Sequence, residues 1–195
     1  MIVAIGEWVL RQACAEAARW PMHISVAVNV SALQFRSQTL VKSVFSALAA
    51  TGLAPNRLEL EITETILLHD SDATLATLHQ LRSLGVRIAM DDFGTGYSSL
   101  SYFRRFPFDK VKIDRSFIQG LSEGTSSLAI LRAIASLAAS LNMVTTVEGV
   151  EMEEQMAQVR REGIHQVQGY FISPPRPAAE VEKLIARFSP SRLAG

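Results

Sequence analysis

The sequence predicts an α/β fold of the TIM-like (β/α) barrel type. Segments with strand character alternate with segments of helical periodicity six times along the 195 residues, which favours a parallel sheet covered by helices. Each predicted strand also carries polar residues at its end. These recur at intervals close to the ~30 residues that one strand–helix unit occupies in a barrel of ~250 residues.

Helices are predicted where apolar residues recur at helical spacing. The first covers residues 3–20, where Val9, Ala13 and Trp20 share one face and Pro21 ends the pattern. The other helices are predicted over residues 38–50, 72–84, 97–106, 126–141, 151–162 and 178–188. Short β-branched, apolar or alternating runs predict strands over residues 24–30, 57–63, 86–90, 110–114, 144–150 and 165–172.

The polar residues at the strand ends form the candidate site, because chemistry in such barrels sits at the carboxyl ends of the strands. They are Asn29, Glu61, Asp91, Asp92, Lys112, Glu148 and Gln168. A doubly wound open sheet is the competing architecture. Its phosphate-binding fingerprint needs a third glycine, which the run from Gly94 to Ser99 lacks.

Two adjacent carboxylates, Asp91 and Asp92, follow the apolar run of residues 86–90 and precede a Gly-Thr-Gly turn. Neighbouring strand residues point to opposite faces, so both carboxylates share a direction only if the strand is ending there. Burying the two anions unpaired would be costly. A divalent cation would hold both, and a solvated Asp-Asp turn is the plainer alternative.

Carboxylate and amide oxygens predominate in this set, which suits Mg²⁺ or Mn²⁺ rather than a soft metal. Lys112 has two possible roles: it could neutralise a phosphate oxygen or hold the nucleophilic water, or it could be a structural counter-ion to Asp114 or Glu148. The histidines show no ligand spacing and are interpreted as surface or turn residues. They are His23, His69, His79 and His165.

Composition excludes several classes of protein. Nineteen basic residues balance nineteen acidic ones, so electrostatic binding of a nucleic-acid polymer is not expected. No apolar run reaches the ~18 residues of a membrane span, and the first residues lack the pattern of a signal peptide. The single Cys14 permits no internal disulfide, which predicts a reduced, cytoplasmic setting.

Six successive motifs closely resemble those of the EAL-type cyclic di-GMP phosphodiesterases. They are Asn29-Val30-Ser31, Glu61-Ile62-Thr63-Glu64, the run from Asp91 to Leu100, the run from Lys112 to Phe117, Glu148-Gly149-Val150-Glu151 and Gln168-Gly169-Tyr170. The resemblance implies a TIM-like barrel that opens cyclic di-GMP to linear pGpG with two Mg²⁺ or Mn²⁺ ions.

The resemblance also implies a role for each site residue. Asn29, Glu61 and Asp91 would bind one metal ion, and Asp91, Asp92 and Glu148 the other. Catalytic roles fall to Lys112, which would position the attacking water, to Glu148 as the base, and to Glu64, which would brace the loop after Asp92. Asp114, Glu151 and Gln168 would support the metal ligands or line the substrate mouth.

The sequence departs from the family at its start. The Glu-Ala-Leu tripeptide, which supplies a glutamate to the first metal, does not occur, and the strand before it is also missing. The chain is therefore interpreted as a single truncated domain over residues 1–195 with about six of the eight barrel strands. The gap would expose strand edges and apolar interior, which predicts a homo-oligomer, such as a dimer, that covers the open edge.

Three functions remain open at this point. The chain could be a metal-dependent phosphodiesterase whose activity is impaired by the missing strands. It could be a degenerate module that binds cyclic di-GMP or a protein partner without turnover. It could also be a scaffold that only contacts other proteins, in which case neither nucleotide nor metal would change its melting temperature.

Overall fold

The computed structural model of the protein describes residues 1–67, 71–94, 100–120 and 125–188. In these residues six strands form one parallel sheet in which each strand pairs with the next along the chain. The strands are β1 (Val26–Asn29), β2 (Leu58–Thr63), β3 (Arg87–Phe93), β4 (Lys110–Ile113), β5 (Val144–Val147) and β6 (Gln166–Val167).

Helices surround the sheet. They are α1 (Ile2–Ala17), α2 (Ala32–Arg36), α3 (Leu40–Thr51), α4 (Glu64–Leu67), α5 (Ser71–Ser83), α6 (Leu100–Arg105), α7 (Ser116–Gln119), α8 (Thr125–Ser140), α9 (Glu153–Arg161) and α10 (Ala178–Phe188), with a 3-10 turn at Pro55–Arg57. The strand order and the helical layer confirm the prediction of an incomplete TIM-like barrel.

The hydrophobic core lies between the sheet and the helices. Alternate residues of β2 point outward into it, and Leu58, Leu60 and Ile62 are completely buried. Ile88 and Met90 of β3 continue the same layer. Since burying one such side chain contributes about 1.5–3 kcal/mol, this layer fixes which residues of each strand point inward, toward the barrel axis.

The inner face of the sheet is polar, so the expectation of an exposed apolar interior was wrong. A cavity of about 370 Å³ is bounded by charged and amide side chains together with smaller residues. Its lining residues are Ala27, Glu59, Glu61, Lys110, Lys112, Thr146, Gln166, Val167 and Gln168. The two edge strands are β1, which ends in Asn29, and β6, which directly precedes Gln168, as predicted.

Several element boundaries differ from the sequence prediction. The last strand is limited to Gln166–Val167, because residues 169–173 form a turn in which Ile172 N–H donates to the Gly169 carbonyl. The helix predicted over residues 38–50 is α3, which begins at Leu40 because Gln38 has a left-handed backbone with φ of 53°. The beginning of the helix predicted over residues 97–106 lies outside the described residues.

Local hydrogen bonds hold the chain on either side of β1. The guanidinium of Arg57, which is 6% exposed, donates to the carbonyls of Ala17, Trp20 and Ile24 and thereby ties the end of α1 to the start of β2. After β1, Ser31 forms a capping box with Gln34 at the start of α2. The position of the strand that ends in Asn29 is therefore fixed at both ends.

Candidate metal centre

Parallel pairing brings the predicted strand-end residues to one rim of the sheet. Asn29 of β1 lies opposite Glu61 of β2 in the register, and Thr63 lies opposite Asp91 of β3. Glu148 follows β5, and its N–H donates to the Ile113 carbonyl at the end of β4 with an N–O distance of 3.0 Å. Residues more than 100 positions apart in the sequence therefore meet at the same rim.

A bulge in β3 places both aspartates in the site. The strand does not end at residue 90, as predicted, but continues to Phe93 with a shift of its register against β4 between Met90 and Phe93. Asp92 has a left-handed backbone with φ of 55°, a conformation that aspartate tolerates better than most residues. This local rotation allows the Asp92 carboxylate to point to the same side as Asp91.

Three carboxylates converge as a result. One oxygen from each of Asp91, Asp92 and Glu148 lies within 4.8 Å of the others. Two ligands on opposite sides of a Mg²⁺ ion lie roughly 4.2 Å apart, since each bond is about 2.1 Å long. A small inward movement of these hard oxygen donors is therefore enough to hold a divalent cation, and the residues fit such an ion.

Lys112 lies at the centre of the cluster and is 4% exposed. Its Nζ donates to Glu61 at 2.9 Å and to Asp91 at 2.8 Å, and it pairs with Glu148 at 2.7 Å. An ammonium group has three hydrogens to donate, so all three are used. Burial opposes the charge of Lys112, but these hydrogen bonds raise its pKa well above the ordinary value.

Among the ion pairs of the described residues, the carboxylates of this cluster outnumber the ammonium of Lys112. Burial raises the pKa of Glu61, although the hydrogen bond from Lys112 opposes the shift. Burial also raises the pKa of Asp92, and the neighbouring charges of Asp91 and Asp114 raise it further. One ammonium does not balance four carboxylates, which is the electrostatic condition that favours a bound cation.

Asp92 provides a direct test of this charge excess. Replacing Asp92 with asparagine is expected to raise the thermal midpoint of the chain in EDTA at pH 7, because a carboxyl whose pKa is raised by folding disfavours the folded state when ionised. That cost is present above the raised pKa and absent below the ordinary value of ~3.9. The advantage of the variant should therefore shrink as the pH falls from 7 toward 4.

Scanning calorimetry across this pH range measures the effect. Glu182→Gln is the matched control, since Glu182 is an exposed carboxylate on α10. An Asp92→Asn variant that is less stable than the wild type in EDTA at pH 7 would contradict the electrostatic interpretation.

The structure places the other predicted site residues at varying distances from this cluster. Glu64 is buried at the start of α4, directly after β2. Of the loop after Asp92 that it was predicted to brace, residues 95–99 lie outside the described residues. Burial alone would raise the pKa of Asp114, but hydrogen bonds from Ser116 and from the Arg115 backbone lower it below the ordinary value. Asp114 thus supports the turn after β4.

Glu151 and Gln168 lie nearer to solvent. Glu151 is exposed and lies just before α9, and its backbone N–H donates to the side-chain oxygen Oε1 of Gln155. Gln168 is exposed at the edge of the cavity, and its backbone pairs with Val147 and Val150. Among the histidines, His165 accepts or donates a hydrogen bond with Thr145 at 2.8 Å, and His69 lies outside the described residues.

Sequence reasoning missed a second ion pair beneath the cluster. Lys110 Nζ donates to Glu59 Oε1 at 2.8 Å, and both side chains line the cavity. A signal for this pair was available. Glu59 and Lys110 each stand two positions before a predicted site residue on the same strand, so each must point to the same face as that residue.

Comparisons with known proteins agree with this geometry. The sequence family described as EAL domain matches residues 1–175. The bifunctional diguanylate cyclase/cyclic di-GMP phosphodiesterase MucR of Pseudomonas aeruginosa is 44% identical over 190 residues, which are 95% of this chain and 28% of MucR. The chain spans 22% to 28% of the length of such curated relatives.

Solved structures show the same similarity. The PaMucR phosphodiesterase in complex with c-di-GMP has a TM-score of 0.88 and 44% identity, covering 92% of this chain and 74% of that one. A calcium/cy-diGMP complex of Klebsiella pneumoniae BlrP1 has a TM-score of 0.82 and 29% identity, covering 89% and 44%. Among the helices of the described residues, none has the length and apolar character needed to span a bilayer.

Proposed function

The chain belongs to the EAL domain family, and from that premise we propose that it is a cyclic di-GMP phosphodiesterase domain, over residues 1–195, that hydrolyses its substrate to linear pGpG with Mg²⁺ or Mn²⁺. The observation that carries the proposal is the convergence of Asp91, Asp92 and Glu148 beside the buried Lys112. A cytoplasmic setting is part of the proposal, since the lone buried Cys14 suits a reducing compartment.

The chain's own residues have distinct roles in this proposal. Asp91, Asp92 and Glu148 would hold one divalent cation, and Asn29, Glu61 and Asp91 would hold a second, which in the family has one further glutamate ligand. Bound cations of this kind polarise the phosphodiester and lower the pKa of the attacking water. Glu148 would accept the proton of the attacking water, and Glu64 would brace the loop that follows Asp92.

Lys112 can orient water only if one of its present contacts is released. Its three hydrogens point to Glu61, Asp91 and Glu148. Binding of a cation to these same carboxylates would weaken their hold on the ammonium and leave a hydrogen for the water or for a phosphate oxygen. In this proposal Lys112 is therefore a structural counter-ion before the cation binds and orients water after the cation has bound.

Substrate entry would be from the rim of the sheet. Gln168 borders the cavity, and we propose that it lines the substrate mouth together with Glu151, while Asp114 supports the turn below.

We further propose that two copies associate so that the edge strands β1 and β6 are covered, because unpaired strand edges are otherwise open to pairing. A monodisperse monomer in light scattering at micromolar concentration would contradict this dimer.

Incubation of the chain with cyclic di-GMP and Mn²⁺ tests the proposed reaction. We expect pGpG to appear by chromatography, and we expect no pGpG from Asp91→Ala, which removes a carboxylate shared by Lys112 and the cluster. Glu182→Ala, which changes an exposed residue of α10, should retain wild-type turnover.

Other outcomes of this experiment separate the alternatives. Binding of cyclic di-GMP by calorimetry without product would overturn catalysis and favour a non-catalytic module that binds the nucleotide. If neither nucleotide nor Mn²⁺ changes the melting temperature, both functions are excluded and a protein-binding scaffold is left.

A further inference from the structure

Two layers of opposite charges cross the inner face of the sheet. On β2, Glu59 and Glu61 both point inward, because residues two positions apart on a strand face the same side. For the same reason Lys110 and Lys112 both point inward from β4. Glu61 pairs with Lys112 in the upper layer, next to the strand ends, and Glu59 pairs with Lys110 in the lower one. We refer to the Glu59–Lys110 pair as the lower ion pair.

The lower ion pair is well enclosed. Its N–O distance is 2.8 Å, and the side chains of Lys110 and Glu59 are 15% and 6% exposed. Strand β3 runs between β2 and β4, and Ala89, which pairs with Lys110 in the register, is completely buried. Because alanine has a single methyl group, it leaves room for the Lys110 side chain to cross β3 and reach Glu59.

The spacing of these charges means that, without Lys110, Glu59 and Glu61 would compete for the ammonium group of Lys112. Glu59 and Glu61 are neighbours on one face of β2, at roughly the 7 Å that separates alternate residues of a strand. A buried carboxylate needs a cationic partner. Without Lys110, the nearest buried ammonium for Glu59 would be that of Lys112, which already contacts Glu61, Asp91 and Glu148.

We propose that Glu59 and Lys110 are positioning residues for the candidate metal centre: Lys110 neutralises Glu59 and thereby keeps Lys112 on the three upper carboxylates. Neither residue contacts Asp91, Asp92 or Glu148 in the described contacts, so the pair acts through Lys112. The inference rests on the proposed function in that the upper carboxylates are the ones that hold a divalent cation.

The first test compares Lys110→Met with the double variant Glu59→Gln/Lys110→Met. The single variant should increase the rise in thermal midpoint that Mn²⁺ causes by at least half, because Lys112 is drawn toward Glu59 and leaves more uncompensated negative charge on the upper carboxylates for the cation. The double variant removes the competing charge and should restore the wild-type rise. Arg132→Met is the matched control, since it breaks the surface ion pair with Glu162.

A purely structural lower ion pair gives a different pattern. The single variant would then have a lower midpoint in EDTA, and in both variants the rise caused by Mn²⁺ would be the same as in the wild type. That result would overturn the inference. The double variant also guards against misfolding of Lys110→Met, because it leaves no unpaired buried charge.

A crystal structure of metal-free Lys110→Met tests the same inference without any cation. We expect Nζ of Lys112 to lie within hydrogen-bonding distance of the Glu59 carboxylate. Retention of all three contacts to Glu61, Asp91 and Glu148 would overturn the inference. If wild-type chain shows no response to Mn²⁺, the proposed function fails, and this crystal structure alone decides the role of the lower ion pair.

Discussion

Lys112→Met is expected to lower the free energy of unfolding of the metal-free chain by about 3–5 kcal/mol, the range found when one partner of a buried ion pair is removed. The substitution would leave Glu61, Asp91 and Glu148 close together without their shared ammonium. Urea unfolding in EDTA, followed by circular dichroism, measures the loss. Lys183→Met, on the exposed side of α10, is the control and should change little.

The same variant should respond more strongly to metal than the wild type. A divalent cation can supply the charge that Lys112 supplied, so Mn²⁺ should recover a larger share of stability in Lys112→Met.

Because the pKa of Lys112 is raised, its contribution to the free energy of unfolding is fully present below pH ~10 and is lost only as the pH rises through the raised value. An unchanged free energy of unfolding in EDTA would contradict the counter-ion role.

Asp91→Asn is expected to abolish the rise in thermal midpoint that Mn²⁺ causes and to lower turnover of cyclic di-GMP at least ~100-fold, the size of effect seen when one interaction with transition-state charge is removed. Asp91 contacts Lys112 at 2.8 Å and belongs to the carboxylate cluster. Asparagine has nearly the same shape, so the fold should persist while a charged ligand is lost.

Titration of the Asp91→Asn variant with Mn²⁺, read by melting temperature and by pGpG formation, measures both effects. Glu182→Gln provides the control for loss of a carboxylate elsewhere. A wild-type Mn²⁺ response in Asp91→Asn would mean that the cation binds at another place, and the assignment of Asp91 would be wrong.

Much of the fold could be predicted because its signals are local. Alternation in residues 58–63 and the spacing of Val9, Ala13 and Trp20 each follow from the geometry of a single element. The parallel order of the strands follows from the repeated strand–helix pattern, and the meeting of Asn29 with Glu61 follows from the parallel register.

The features that were missed depend on contacts between distant segments. The bulge in β3, with its left-handed Asp92, depends on the pairing of β3 with β4. The polar inner face depends on Glu59 meeting Lys110 across 51 positions of sequence. The short helices α2, α4 and α7 contain only four or five residues, too few for a periodic pattern to be distinguished from a turn.

Crystals of the chain grown with MnCl₂ provide the most direct test of the central proposal, that Asp91, Asp92 and Glu148 hold a divalent cation. An anomalous difference map should contain a Mn²⁺ peak at ligand distance, roughly 2.1–2.3 Å, from oxygens of all three carboxylates. A map whose Mn²⁺ peaks all lie elsewhere, with Lys112 still bound to its three partners, would contradict the proposal.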